Sequence, residues 1–121
     1  MLRSMMQMYV KNSGEAVELY QKAFGASVGN EHRNPDGSYM HAELNAFGQV
    51  LAISEASDDR ISGKTMQFCF HFEEDKIEKV KHAYEVLKDG AKILYPIGEC
   101  FFSKCMFGLI DKFGINWCLF I

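Results

Sequence analysis

No stretch of this 121-residue chain approaches the roughly 20 consecutive apolar residues of a membrane span, and no membrane partner is expected. Runs of Lys or Arg are missing too, and the formal net charge is −3. That balance argues against the basic face on which phosphate neutralisation depends, so no nucleic-acid partner is expected. The opening Met1-Leu2-Arg3-Ser4-Met5-Met6-Gln7-Met8 lacks a long apolar segment and a small-residue cleavage site. No signal peptide is therefore expected, and the cytoplasm is the expected compartment. Only four cysteines occur, Cys69, Cys100, Cys105 and Cys118, and none forms a Cys-x-x-Cys pair. A structural zinc site and a thioredoxin-like motif are not expected on that spacing, and the thiols read as small apolar residues kept reduced.

What is present is apolar and aromatic. Hydrophobic residues make up 48% of the chain, with ten Phe, five Tyr and one Trp. That suffices for one domain over 1–121, and for lining a cavity as well as filling a core. Met5 to Val10 reads as a strand. Asn12, with Glu15 three residues on, predicts a capped helix start, and Ala16, Leu19, Tyr20, Ala23 and Phe24 repeat at helical spacing until Gly25. Ala26 to Arg33 reads as a strand, Asn34-Pro35-Asp36-Gly37 as a turn, Ser38 to Ala46 as an alternating strand, Phe47-Gly48 as a turn and Gln49 to Glu55 as a strand.

A polar stretch from Ala56 to Thr65 then reads as a linker. Behind it the order begins again. Met66 to Phe72 alternates as a strand. Glu73-Glu74-Asp75 puts negative charge at a helix start, and Ile77, Val80, Tyr84 and Leu87 form the stripe. Ala91 to Ile97, Phe101 to Ile110 and Ile115 to Ile121 complete three more strands. Gly25-Ala26 recurs as Gly90-Ala91, and Phe47-Gly48 as Phe113-Gly114, at nearly one separation of about half the chain. The fold class expected is α+β, two βαβββ repeats over about 1–56 and 64–121.

Three local motifs carry a resemblance. Glu15 to Gly25 ends in Tyr20-x-x-x-Phe24-Gly25. Met40-His41-Ala42-Glu43-Leu44 contains a His-Ala-Glu strand. Asp111-Lys112-Phe113-Gly114-x-x-Trp117 closes the chain, with Lys112 where the related motif has Pro. Together they resemble the glyoxalase/bleomycin-resistance/dioxygenase (vicinal oxygen chelate) superfamily, in its PhnB-like branch. The resemblance implies cupped mixed sheets with helices outside, a small-molecule cavity, and frequent homodimers.

It also implies four metal-ligand positions in metal-dependent members. Here they fall near Met5, Ser54 or Glu55, Gln67 and Leu119. Met5 and Leu119 are not hard donors, which leaves Gln67 and Glu55 as candidate ligands. No cofactor is expected, with a divalent metal as the alternative.

Strand alternation proposes a cavity lining. If Gln67 faces the cup, so do Cys69 and His71, while Phe68, Phe70 and Phe72 pack beneath. If His41 faces it, so do Tyr39, Glu43 and Asn45, while Met40, Ala42, Leu44 and Ala46 pack. Gln7 and Tyr9 join from the first strand, Trp117 and Leu119 from the last, and Phe102 adds a ring. The candidate ligand-binding set is Gln7, Tyr9, His41, Glu43, Gln67, Cys69, Phe102 and Trp117. His41 and Glu43 are the candidate catalytic pair, Glu43 as base and His41 as its partner, against a plain solvated strand face. Three functions compete. One is a metal-independent small-molecule binder. The second is a metal-dependent lyase, isomerase or thiol transferase. The third is an interaction domain whose cup is filled by Trp117, Phe102, Phe107 and Tyr9.

Overall fold

The computed structural model describes residues 1–59 and 63–121. The centre of the expected linker, residues 60–62, lies outside the described residues. The chain divides there into two compact units, 1–60 and 61–121.

The first unit runs β1 (Met6–Val10), α1 (Ser13–Phe24), β2 (Ser27–Arg33), β3 (Tyr39–Ala46) and β4 (Gln49–Glu55). Its sheet has the order β1-β4-β3-β2, with β1 parallel to β4 and the other pairs antiparallel. The second unit repeats the plan with β5 (Phe68–His71), a short 3-10 turn at Glu74–Lys76, α2 (Ile77–Leu87), β6 (Lys92–Cys100), β7 (Ser103–Ile110) and β8 (Asn116–Phe120). Its order is β5-β8-β7-β6, with β5 parallel to β8. The expected α+β class and its two βαβββ modules are thus the observed architecture, each a four-stranded mixed sheet carrying one helix. Among the described residues, no helix is long and apolar enough to cross a membrane.

Each helix forms because one stripe has a sheet to cover. Ala16, Val17, Tyr20, Ala23 and Phe24 of α1 are buried, as are Met8, Val10, Ala42, Leu44, Leu51 and Ile53 of its sheet. In the second unit Val80, Ala83 and Leu87 of α2 are buried, as are Phe107, Leu109, Trp117 and Leu119. Removing side chains of this size from water stabilises by roughly 1.5–3 kcal/mol each. Gly25 and Gly90 follow the helices with φ of 60° and 73°, a left-handed conformation that ends a helix at little cost.

The start of α1 departs from its sequence signature. Asn12 sits at φ 62° and offers no side-chain cap. The Glu55 carboxylate caps instead, accepting from Asn12 N at 3.0 Å, Ser13 N at 2.9 Å and Ser13 Oγ at 2.8 Å. The parallel pairing of β1 with β4 places Val10 beside Glu55, so the last residue of β4 meets the first turn of the helix. A carboxylate there satisfies orphan N–H groups and faces the positive end of the dipole.

The two matched turns differ in build. Phe47 and Gly48, at φ 55° and 86°, make a two-residue connection between Ala46 and Gln49. Positive φ at both positions suits the twist of a tight hairpin. Phe47 tolerates it with its ring edge-on to Phe24, centroids 6.1 Å apart. The second turn is longer, with Asp111 N donating to Ile115 O and Gly114 N to Asp111 O. Phe101 and Phe102, expected to begin a strand, instead form the turn between β6 and β7. Tyr95-Pro96 lies inside β6, where the register shifts; β6 is an edge strand and tolerates the missing N–H.

Candidate functional site

Side chains paired across neighbouring strands share a face of the sheet. In the second unit Phe68 pairs with Trp117 and Phe70 with Leu119, and Leu109 and Phe107 pair with the same two β8 residues. All six therefore lie on the α2 side. Trp117 is fully buried there, stacked on Phe70 with centroids 6.1 Å apart and edge-on to Phe68 at 6.0 Å. This corrects the expectation that Trp117 and Leu119 join Gln67 in the lining. Phe107, named with Trp117 as a side chain that would fill the cup, also lies on the helix side and meets Tyr84 of α2 at 5.1 Å.

The opposite face carries the residues one step along. From β5 and the residue before it come Gln67, Cys69 and His71. From β8 come Asn116, Cys118 and Phe120, and from β7 Met106 and Gly108. A cleft of about 320 Å³ opens here, lined by Lys64, Gln67, Leu94, Tyr95 and Asn116. Gln67 Nε2 donates to Asn116 Oδ1 at 3.0 Å, and the Cys69 thiol donates to Gln67 Oε1 at 4.0 Å. Gly108 keeps the floor low, because a Cβ there would stand 3.0 Å from Tyr95 Cδ2 and 3.5 Å from Gln67 Nε2. Further along, His71 stacks on Phe120 at 4.4 Å, and Phe102 meets the same ring edge-on at 5.5 Å.

The structure thus brings Gln67, Cys69 and Phe102 to this face. It adds Lys64, Leu94, Tyr95, Gly108, Asn116 and Phe120, which sequence reading missed. Counting alternation back from Cys118 rather than Trp117 would have found Asn116 and Phe120.

In the first unit the expected polar face forms. Gln7 and Glu43 flank Ala52 across the sheet, and His41 follows Glu43 at the same parity. Gln7 Nε2 donates to Ser54 Oγ at 3.0 Å, and Tyr9 is half exposed. The Glu43 carboxylate is buried and bound on both oxygens by Arg3, at 2.8 and 2.9 Å, while His41 Nε2 lies 2.9 Å from Oε2. Hydrogen bonds from Arg3 and then His41, more than the charges themselves, hold the Glu43 carboxyl down at about 2. A carboxylate so stabilised is a poor general base near neutral pH, where a catalytic base works best with a pKa close to the operating pH. Arg3, which no motif flagged, therefore changes what the His41–Glu43 pair can do. Met40, expected to pack with Ala42 and Leu44, is exposed near the start of β3.

The four metal positions implied by the resemblance do not make a donor set for a hard divalent cation. Met5 offers only a thioether, which is soft. Glu55 spends both oxygens on the start of α1. Ser54 accepts from Gln7, Gln67 is tied to Asn116, and Leu119 is buried on the helix side. The side chain that faces away from the helix at that end of β8 is Phe120. Among the described residues, no three His, Cys, Asp or Glu side chains group as a metal site.

The closing motif is a buried scaffold. Asp111 Oδ1 accepts from Phe113 N at 2.8 Å and Ile115 N at 3.0 Å, and Oδ2 accepts from Trp117 Nε1 at 2.8 Å. One carboxylate thereby shapes the β7–β8 turn and fixes the indole, and with it sets which β8 side chains face the cleft.

A model of the Glyoxalase/Bleomycin resistance protein/Dioxygenase superfamily matches residues 4–119. No curated protein matches the chain. Solved structures share its fold at low identity. The PhnB protein of Bacillus cereus is 22% identical with a TM-score of 0.82, covering 98% of each chain. A Pseudomonas aeruginosa protein is 18% identical with a TM-score of 0.78, covering 99% of this chain and 97% of that one. The fosfomycin resistance protein FosX of Listeria monocytogenes, complexed with Mn(II) and a dihydroxypropylphosphonic acid, is 14% identical with a TM-score of 0.73, over 98% of this chain and 90% of its own.

Proposed function

The chain belongs to the Glyoxalase/Bleomycin resistance protein/Dioxygenase superfamily, and from that premise we propose that it binds a small organic molecule in the cleft of its second unit without a divalent metal. The observation that carries this reading is the cleft of about 320 Å³ between Tyr95, Leu94 and the Gln67–Asn116 amide pair. Its size is at the low end of small-molecule pockets, and its make-up, an apolar wall with a few convergent polar groups, is that of a binding site. A flat apolar part of the ligand packs on Tyr95 and Leu94. An anionic or carbonyl oxygen turns toward the Lys64 ammonium and the Asn116 amide. The donor chemistry at Met5, Ser54, Glu55, Gln67 and Leu119 supports leaving the metal out, and the Arg3–Glu43 pairing supports leaving His41 and Glu43 out of acid–base work.

The same proposal includes a cytoplasmic homodimer. The compartment rests on the sequence alone. The second copy rests on the superfamily, whose members are often homodimers. Light scattering of the purified chain tests it, with a monomer mass contradicting it.

Binding is tested by titrating ¹⁵N-labelled protein with benzoate and salicylate as minimal aromatic carboxylates. Saturable shifts confined to Lys64, Gln67, Tyr95, Gly108 and Asn116 are expected. Shifts scattered over both units, or none at millimolar probe, contradict the reading.

A further inference from the structure

Three of the four cysteines, Cys69, Cys100 and Cys118, belong to the second unit's β5, β6 and β8, and the fourth, Cys105, lies two residues from Phe107 on the helix side of β7. Cys69 and Cys118 are direct partners in the parallel β5–β8 ladder. Both are free thiols, Cys69 exposed and Cys118 buried. Neighbouring strands lie ~4.8 Å apart, which puts their Cα atoms inside the ~4.4–6.8 Å window that a disulfide spans.

We propose that Cys69 and Cys118 form a redox-active dithiol that closes reversibly to a disulfide when the protein meets a peroxide. The Cys69 sulfur attacks the peroxide, is oxidised to a sulfenic acid and releases one water. The Cys118 sulfur then displaces the hydroxyl from Cys69, forming the S–S bond and releasing a second water. Two hydrogens leave the protein, and the peroxide takes up the two electrons. The division of labour follows exposure: Cys69 meets solvent and oxidant, Cys118 resolves. Burial, reinforced by the neighbouring Cys69 and Cys100 thiols, pushes the Cys118 thiol up to about 12, which leaves the first attack on peroxide to Cys69. β5 is a four-residue edge strand with one partner, so it can shift to bring two Cβ atoms from ladder spacing to the ~3.8 Å a disulfide requires.

The site adjoins the cleft, since the Cys69 thiol is the donor to Gln67 Oε1. Closing the disulfide removes that donor. The dithiol stands on its own geometry, and its test needs no cleft ligand.

The experiment treats the reduced full chain with hydrogen peroxide, unfolds it in guanidinium, alkylates remaining thiols with N-ethylmaleimide, and reads intact mass and peptide maps. The expected product has lost two hydrogens, carries two maleimides rather than four, yields one cross-linked peptide pair containing Cys69 and Cys118, and returns to four maleimides after dithiothreitol. Cys100→Ser keeps the cross-linked peptide pair, with one maleimide that rises to three after dithiothreitol. Cys69→Ser, a change at an exposed position that spares the fold, abolishes it. Four maleimides after peroxide, a Cys69–Cys100 link, or Cys69 oxidised alone to a sulfinic acid each overturn the proposal.

Discussion

Trp117 Nε1 donates to Asp111 Oδ2 at 2.8 Å, from the fully buried helix side of β8 to a carboxylate that also holds the β7–β8 turn. The bond decides the parity of the last strand. With the indole pinned under α2, Asn116, Cys118 and Phe120 must face the other way, which is where the cleft and the dithiol are built. Asp111→Ala leaves three donors without their acceptor, each costing roughly 1–3 kcal/mol when buried. A loss of about 3 kcal/mol or more in urea unfolding is expected, with Trp117 fluorescence altered in the folded state. Asp111→Asn, which keeps one acceptor oxygen, costs less.

How much of this was legible from sequence depended on whether a strand's two faces differ. On β3 and β5 they do: His41 and Glu43 against Ala42 and Leu44, and Cys69 and His71 against Phe68 and Phe70. Alternation therefore placed those residues correctly. Asn116-Trp117-Cys118-Leu119-Phe120 is apolar or nearly so on both faces, so only the register with β5 and β7 assigns its sides, and a one-residue error inverts the whole strand. The element order, the helix-ending glycines and the recurrence of Phe-Gly were readable because they are local. Arg3 on Glu43 and Glu55 on α1 were not, because each joins residues some forty positions apart through strand pairing.

Glu55 supplies the second prediction. Its carboxylate does the work that an N-cap side chain usually does, at a helix whose own Asn12 cannot. Glu55→Ala is expected to destabilise the first unit by ~1–2 kcal/mol, the range for loss of a good cap. Hydrogen exchange at the first turn of α1 measures it. Unchanged protection there contradicts the capping role.

Glu43 makes stability depend on acid. Its folded carboxyl lies near 2, below the ordinary unfolded value, so its contribution is fully present above the ordinary carboxylate range. It is lost as pH falls from ~4.3 toward 2. Carbon-detected titration of Glu43 is expected to show the depressed midpoint. Arg3→Ala is expected to move that midpoint back toward ~4 and to reduce the acid sensitivity of the melting temperature over the same window. An unchanged midpoint in the variant means that Arg3 does not hold the carboxylate.

Gly108 tests the cleft without touching its polar groups. In Gly108→Ala the new Cβ meets the Tyr95 ring at 3.0 Å and crowds Gln67. Weaker binding of an aromatic carboxylate by roughly tenfold, about 1.4 kcal/mol, is expected, with the fold retained in the circular dichroism spectrum. Equal affinity in the variant places the binding elsewhere.

The most direct test of the central reading is the salicylate titration of ¹⁵N-labelled protein, followed at Tyr95, Gly108 and Asn116. It is run once with EDTA present and once after dialysis against manganese or magnesium. The same residues shifting with the same midpoint in both is the predicted result. Binding that appears only with the divalent ion contradicts a metal-independent site and favours the metal-dependent enzyme instead.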